Sequence, residues 1–309
     1  IGISLNLVGA GPTSTYLMPT GTGPAITVSA DNVSISQMGI THTTQLVEGI
    51  RVAGATTGLD LDYVHFTNLG NNPGPGNAYG VNITNSFTGL TVSNGAFIAT
   101  NLGENSRAIG VFTGNNYTLS NFDISSSVFE YLFVGIYLRS EIDGLVASAN
   151  TFGPFELDDC KAAVAGIYIG DGTDDAFDLQ NISITGNDFV DYGRGVYVWN
   201  YAANTTVGPF DISGNTFTNS IYSSAIRFIF GLNGVEDYSI AGITVDNNVF
   251  TQDSDVGASV SMVDLRTYDA NLLSCDIAVT DNSMTLTGGP YADAMLGIKF
   301  SAGADAFYN

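Results

Sequence analysis

A stacked all-β solenoid is the fold class this sequence predicts, and three observations predict it. The first is a recurring segment: ISGNTF at 212–217 returns as ASANTF at 147–152, ITGNDF at 184–189, VDNNVF at 245–250 and VTDNSM at 279–284. The second is a short apolar-x-apolar run, usually preceded by Gly or Ala, that alternates with the first along the chain. The third is the lack of any 12-residue stretch with a sustained 3.6-residue period, while strict alternation and Val, Ile, Phe and Tyr dominate.

The first signature has a fixed spacing: apolar, two on apolar, three on a turn residue, two on a bulky apolar anchor. Its anchors are Ile40, Phe66, Phe97, Phe129, Phe152, Phe189, Phe217, Phe250 and Met284. They lie from 23 residues apart (Phe129 to Phe152) to 37 (Phe152 to Phe189). The second signature reads GIRV at 49–52, GVNI at 80–83, GVFT at 110–113, GIYL at 135–138 and GIYI at 166–169. It continues as GVYV at 195–198, AIRF at 225–228, MVDL at 262–265 and GIKF at 297–300, and SLNLVGAG at 4–11 opens the chain as a partial turn. Two signatures alternating nine times at a variable but bounded spacing predict one coil per repeat, each stacked on the last.

These alternating segments resemble those of the right-handed parallel β-helix proteins, the pectin-lyase-like superfamily. The resemblance spans nearly the whole chain and implies a single domain, 1–309, of about nine to ten right-handed coils. That fold carries many unrelated activities, so function rests on the residues. Hydrolases of the superfamily carry NTD, DD and GHG segments with an RIK-like motif. Of these the chain has only two DD pairs, Asp158-Asp159 and Asp174-Asp175. The DPHD-like segment of its epimerase-type members is missing too. Its lyases pair a calcium site with a basic residue. The acidic, Gly/Ser/Thr/Asn-rich character is also similar to prokaryotic and archaeal secreted surface β-helix proteins.

Asn tolerates the left-handed backbone of a tight corner. Asn150, Asn187, Asn215, Asn248 and Asn282 occupy one equivalent position, and stacking would join their amides in an internal ladder.

Composition narrows the partners. Lys+Arg total 8 against 30 Asp+Glu, for a net charge of -22. Nucleic acid is excluded, because too few cations exist to neutralise phosphates. No apolar run reaches the ~20 residues of a membrane helix. The chain begins at Ile1 rather than Met, which suggests processing, and sequons begin at Asn32, Asn82, Asn116, Asn181 and Asn204. A secreted or cell-surface setting is expected.

Cys160 and Cys275 fall about four coils apart, roughly 19 Å at ~4.8 Å per coil, beyond disulfide reach. An intermolecular bond or two buried thiols both remain open. His42 and His65 have no neighbouring nucleophile set. Asp171, Asp174, Asp175 and Asp178 form the densest acidic loop and the one cofactor candidate, a calcium site, although their spacing matches neither the EF-hand loop nor the nine-residue calcium repeat.

The strongest functional signal is on the second signature. Its flanking residues point inward, so x points outward. In chain order x is Arg51, Asn82, Phe112, Tyr137, Tyr168, Tyr197, Arg227, Asp264 and Lys299. Two residues on, Arg139, Trp199 and Arg266 share that face. Five of the eight basic residues lie there. Aromatic and Arg-rich faces are typical of protein interfaces, and aligned rings also suit sugar stacking. No amphipathic capping helix is visible at either end, which would leave open coils. The expected function is therefore a non-enzymatic, self-assembling subunit of a sheath, surface layer or filament, with copies of itself as partners. The alternative is a polysaccharide-binding or polysaccharide-degrading protein, including tailspike-like depolymerases, with carboxylates from Asp158, Asp159 or the 171–178 loop.

Overall fold

The computed structural model describes residues 3–21, 23–42, 47–70, 77–99, 107–154, 165–171, 177–200, 205–219, 224–231, 237–253, 261–267, 271–287 and 296–302. These residues are all β and turn, with no helix among them. They build two sheets, one of 19 strands and one of ten, in which neighbouring strands run parallel. Parallel neighbours need a long return path, and here each sheet supplies the return for the other.

The small sheet takes one strand from each repeat in unbroken chain order, from Ile26–Val28 to Leu296–Ala302. Val134–Leu138, for example, lies between Arg107–Thr113 and Ala165–Asp171. The large sheet takes a strand before each corner, such as Phe210–Ser213, and a shorter one after it, such as Thr216–Thr218. Register follows the anchors throughout: Leu17, Ile40, Phe66, Phe97, Phe129, Phe152, Phe189, Phe217, Phe250 and Met284 each pair with the next.

Side chains from both sheets meet in one apolar core. Along it, the seven rings from Phe66 to Phe250 stack with centroids 4.8–4.9 Å apart and planes within 17° of parallel. That distance equals the separation of paired strands, so an identical residue in each repeat stacks without strain. Each contact adds about 0.5–1.5 kcal/mol beyond burial. The same rings explain the Gly that opens most small-sheet runs. A Cβ on Gly135 would lie 2.6 Å from Phe152 Cδ1 and 2.7 Å from the Gly166 carbonyl oxygen. Gly80, Gly110 and Gly166 meet Phe97, Phe129 and Phe189 in the same way.

The amides of Asn150, Asn187, Asn215, Asn248 and Asn282 form a continuous chain of hydrogen bonds. Asn215 is typical: its backbone N–H and Nδ2 both donate to Asn248 Oδ1, at 2.9 and 3.0 Å. Its Nδ2 also donates to the Ile184 carbonyl at 2.9 Å, and its Oδ1 accepts from the backbone N–H and Nδ2 of Asn187. The first four are at most 1% exposed, and each amide makes the bonds that burial requires. Upstream the row gives way to Ser127, whose N–H donates to Asn150 Oδ1.

The left-handed residue of the corner is not the ladder Asn, contrary to the sequence reading. It is the residue before it: Ala149, Gly186, Gly214, Asn247 and Asp281, with φ from 48° to 64°. The ladder Asn turns its side chain inward to bond its neighbour, and the preceding position takes the strained backbone. A second left-handed row, Asn32, Gly58, Gly89, Asn121, Gly144, Asn181 and Gly242, bends the large sheet near the start of each strand. Each member lies two residues before one of a paired row running from Ser34 to Thr244.

Candidate functional site

The outward row of the small sheet is in register from end to end: Thr27, Arg51, Asn82, Phe112, Tyr137, Tyr168, Tyr197, Arg227, Asp264 and Lys299. Ile50, Val52, Ile136 and Leu138, the flanking positions, are fully buried. The face is more closed than a bare outer surface. Asn82, Tyr197, Arg227 and Asp264 are buried, whereas Arg51, Phe112, Tyr137, Arg139, Tyr168, Trp199, Arg266 and Lys299 are half-buried.

The rings close on one another. Tyr79 stacks on Phe112 at 4.7 Å, and Phe112 meets Tyr137 edge-on at 5.6 Å. Tyr137 and Tyr168 are 4.5 Å apart at 14°, Tyr168 and Tyr197 4.7 Å, and Tyr197 and Trp199 5.6 Å. Arg139 lies 5.7 Å over the Tyr137 ring, and Arg194 lies 4.6 Å over that of Tyr197. Stacking on a sugar needs a free ring face, and Tyr79, Phe112, Tyr137 and Tyr168 each turn one face to a ring of a neighbouring repeat.

Three of the arginines, Arg51, Arg227 and Arg266, have carboxylates within the chain. Arg51 forms a two-point ion pair with Glu48, one contact being Nε to Oε1 at 2.8 Å. Asn82 Nδ2 donates to the same Glu48 oxygen at 2.7 Å. Hydrogen bonding to Glu48 raises the Arg51 pKa above its ordinary value, against a smaller desolvation effect. At the other end Asp264 gathers two guanidiniums on Oδ2: Arg227 Nε at 3.3 Å, and Arg266 through Nη2 at 2.8 Å and Nε at 2.9 Å. Asp264 is 1% exposed, so this group is desolvated. Lys299 is its register neighbour on the far side. Desolvation lowers the Arg194 pKa, with Arg227 and Arg266 adding repulsion.

Three members of this face escape the sequence reading: Glu48, Tyr79 and Arg194. They share a paired row with Ile109, Val134 and Ala165. Counting back by two from Tyr137 lands on Gly135, which faces Phe152 instead. The glycine interrupts the alternation, so the next outward residue is three back. The acid–base pairing did have a signal, since Arg227 and Asp264 are consecutive in the row and Glu48 precedes Arg51 by three.

The remaining candidates stay apart. Asp178 is half-buried, and its Oδ1 accepts from the Thr206 backbone N–H at 2.8 Å. Asp171 ends the strand Ala165–Asp171, with Asn200 as its partner residue. Asp174 and Asp175, like Asp158, Asp159 and Cys160, lie outside the described residues. Among the described residues no group of three His, Cys, Asp or Glu side chains is placed to hold a metal ion. Cys275 pairs through its backbone with Ile240. His65 is half-buried on the large sheet, and desolvation lowers its pKa; the His42 carbonyl accepts from Asn68 Nδ2. An open groove of about 460 Å³ on the large sheet is lined by Asn181, Ser183, Pro209, Phe210, Asp211 and Thr244 among others, with Asp211 the one carboxylate among the described lining residues. Exposed large apolar side chains crowd onto the first strands: Ile3, Leu5, Val8, Tyr16 and Met18.

No protein family, no curated protein and no solved structure matches this chain.

Proposed function

We propose that the chain is one right-handed parallel β-helix of nine to ten coils, and that it serves as a non-enzymatic structural subunit outside the cell. In this reading copies of the chain assemble into a sheath, surface layer or filament. The observation that carries it is the closure of the outer aromatic row: Tyr137 and Tyr168 stack face to face at 4.5 Å. Side chains that a sugar-binding face would present are instead committed to lengthwise reinforcement, alongside the internal Phe and Asn ladders. What the row offers outward is ring edges, the half-buried Trp199 and the Arg139 and Lys299 side chains, a mix suited to a protein contact.

The polysaccharide reading draws on the groove beside Asn181 and Asp211. Glycoside hydrolysis by the usual route employs two flanking carboxylates, and the described residues of this groove supply one. Electron microscopy and light scattering of native material separate the two readings. Ordered assemblies with copies in contact across the small-sheet face are expected. A monodisperse monomer that cleaves an acidic polysaccharide would sink the structural reading.

A further inference from the structure

The sequons sort sharply once placed in the fold. Asn82 is 8% exposed on the small sheet, and its Nδ2 is engaged by Glu48. Its sequon partner Thr84 donates its hydroxyl to the Val52 carbonyl at 2.9 Å. Asn32, Asn116 and Asn181 are exposed and left-handed, with φ of 55°, 64° and 54°. Asn204 lies outside the described residues.

The three exposed sites share one edge of the molecule. Asn32 lies between the small-sheet strand Ile26–Val28 and the large-sheet strand Val33–Ile40. Asn116 lies in the equivalent passage, between Arg107–Thr113 and Thr118–Ser125. Asn181 is the third residue of Leu179–Thr185 and belongs to the same left-handed row as Asn32. Five repeat steps separate those two, about 24 Å at ~4.8 Å per step. The side chains therefore leave the molecule at the bend between the sheets, away from the aromatic row. Asn181 Nδ2 donates to Asp143 Oδ1 at 2.6 Å, and a substituted amide still has one hydrogen to donate. The groove beside it gives a first sugar room.

We propose that Asn32, Asn116 and Asn181 are N-glycan acceptor sites forming a sugar-bearing edge, and that Asn82 is not one. The inference rests on the extracellular part of the proposed function. The donor is a lipid-linked oligosaccharide. Asparagine Nδ2 bonds to its anomeric carbon, the bond from that carbon to the lipid diphosphate breaks, and the amide releases one proton. An edge carrying bulky hydrophilic chains blocks contacts along that side and directs association to the small-sheet face.

Glycopeptide mass spectrometry of the full chain isolated from its own cells tests this. Sugar is expected on peptides containing Asn32, Asn116 and Asn181, with Asn82 bare. Asn181→Gln should remove one glycan mass and leave the circular dichroism spectrum unchanged. Bare peptide at any of the three in more than about nine-tenths of molecules overturns that assignment, and sugar on Asn82 in folded chain overturns the burial argument. Electron microscopy of the same material separates this from the assembly reading. Assemblies without sugar sink the glycan edge alone, and sugar on a lone monomer sinks assembly alone.

Discussion

Replacing Asn215 by Ala should destabilise the protein far more than the same change at Asn282. Asn215 is fully buried, and five hydrogen bonds pass through its backbone N–H and side-chain amide. Alanine keeps the backbone bond to Asn248 Oδ1 but strands the Asn187 N–H and leaves the Ile184 carbonyl without its Nδ2 donor. A buried group stripped of its partner costs about 1–3 kcal/mol, so two such groups cost about 2–6 kcal/mol. Asn282 is itself half-buried and is the last Asn of the row, so removing its side chain opens the released Asn248 N–H to water and the cost falls to about 1 kcal/mol. Urea unfolding followed by far-ultraviolet circular dichroism reads the difference. With a slope near 3 kcal/mol/M, Asn215→Ala should lower the midpoint by about 1 M and Asn282→Ala by about a third of that. Equal shifts for the two variants would refute the ladder as the source of stability.

Two further outcomes follow from the packing. Gly135→Ala should cost about 1–3 kcal/mol by overpacking against Phe152, and adding Phe152→Leu should recover part of the loss in thermal unfolding. Asp264→Asn removes the carboxylate that both Arg227 and Arg266 contact, for about 3 kcal/mol. Because Asp264 is desolvated, this loss should change little between 0.05 and 0.5 M salt, roughly a threefold span of Debye length; a loss that vanishes at high salt would place the pair on an open surface.

The register of the fold was legible because one ring per repeat must stack on the next. Any sequence that satisfies this contact repeats its anchor visibly, whatever the loop length. Phe129 to Phe152 and Phe152 to Phe189 differ by 14 residues in spacing, yet both pairs stack. The corner was less legible. Its left-handed position holds Ala, Gly, Asn or Asp, so residue identity alone does not mark it, while the invariant Asn next to it marks hydrogen bonding instead. The outer face was read only in part. Alternation located Arg51 through Lys299, but the glycines under the Phe rings shift the count and hid Glu48, Tyr79 and Arg194. With Glu48 hidden, and Asp264 only one member of the row, the sequence does not reveal which basic residues have an acidic partner. The structure shows Arg51, Arg227 and Arg266 matched within the chain.

The parallel pairing also sets a mechanical anisotropy. Inter-strand hydrogen bonds in both sheets point along the direction in which the repeats stack. Tension in that direction loads one junction after another, so repeats should peel away singly at low force. A pull along the strands must shear a whole row of bonds together. Such a molecule resists crushing and lateral shear better than lengthwise stretching.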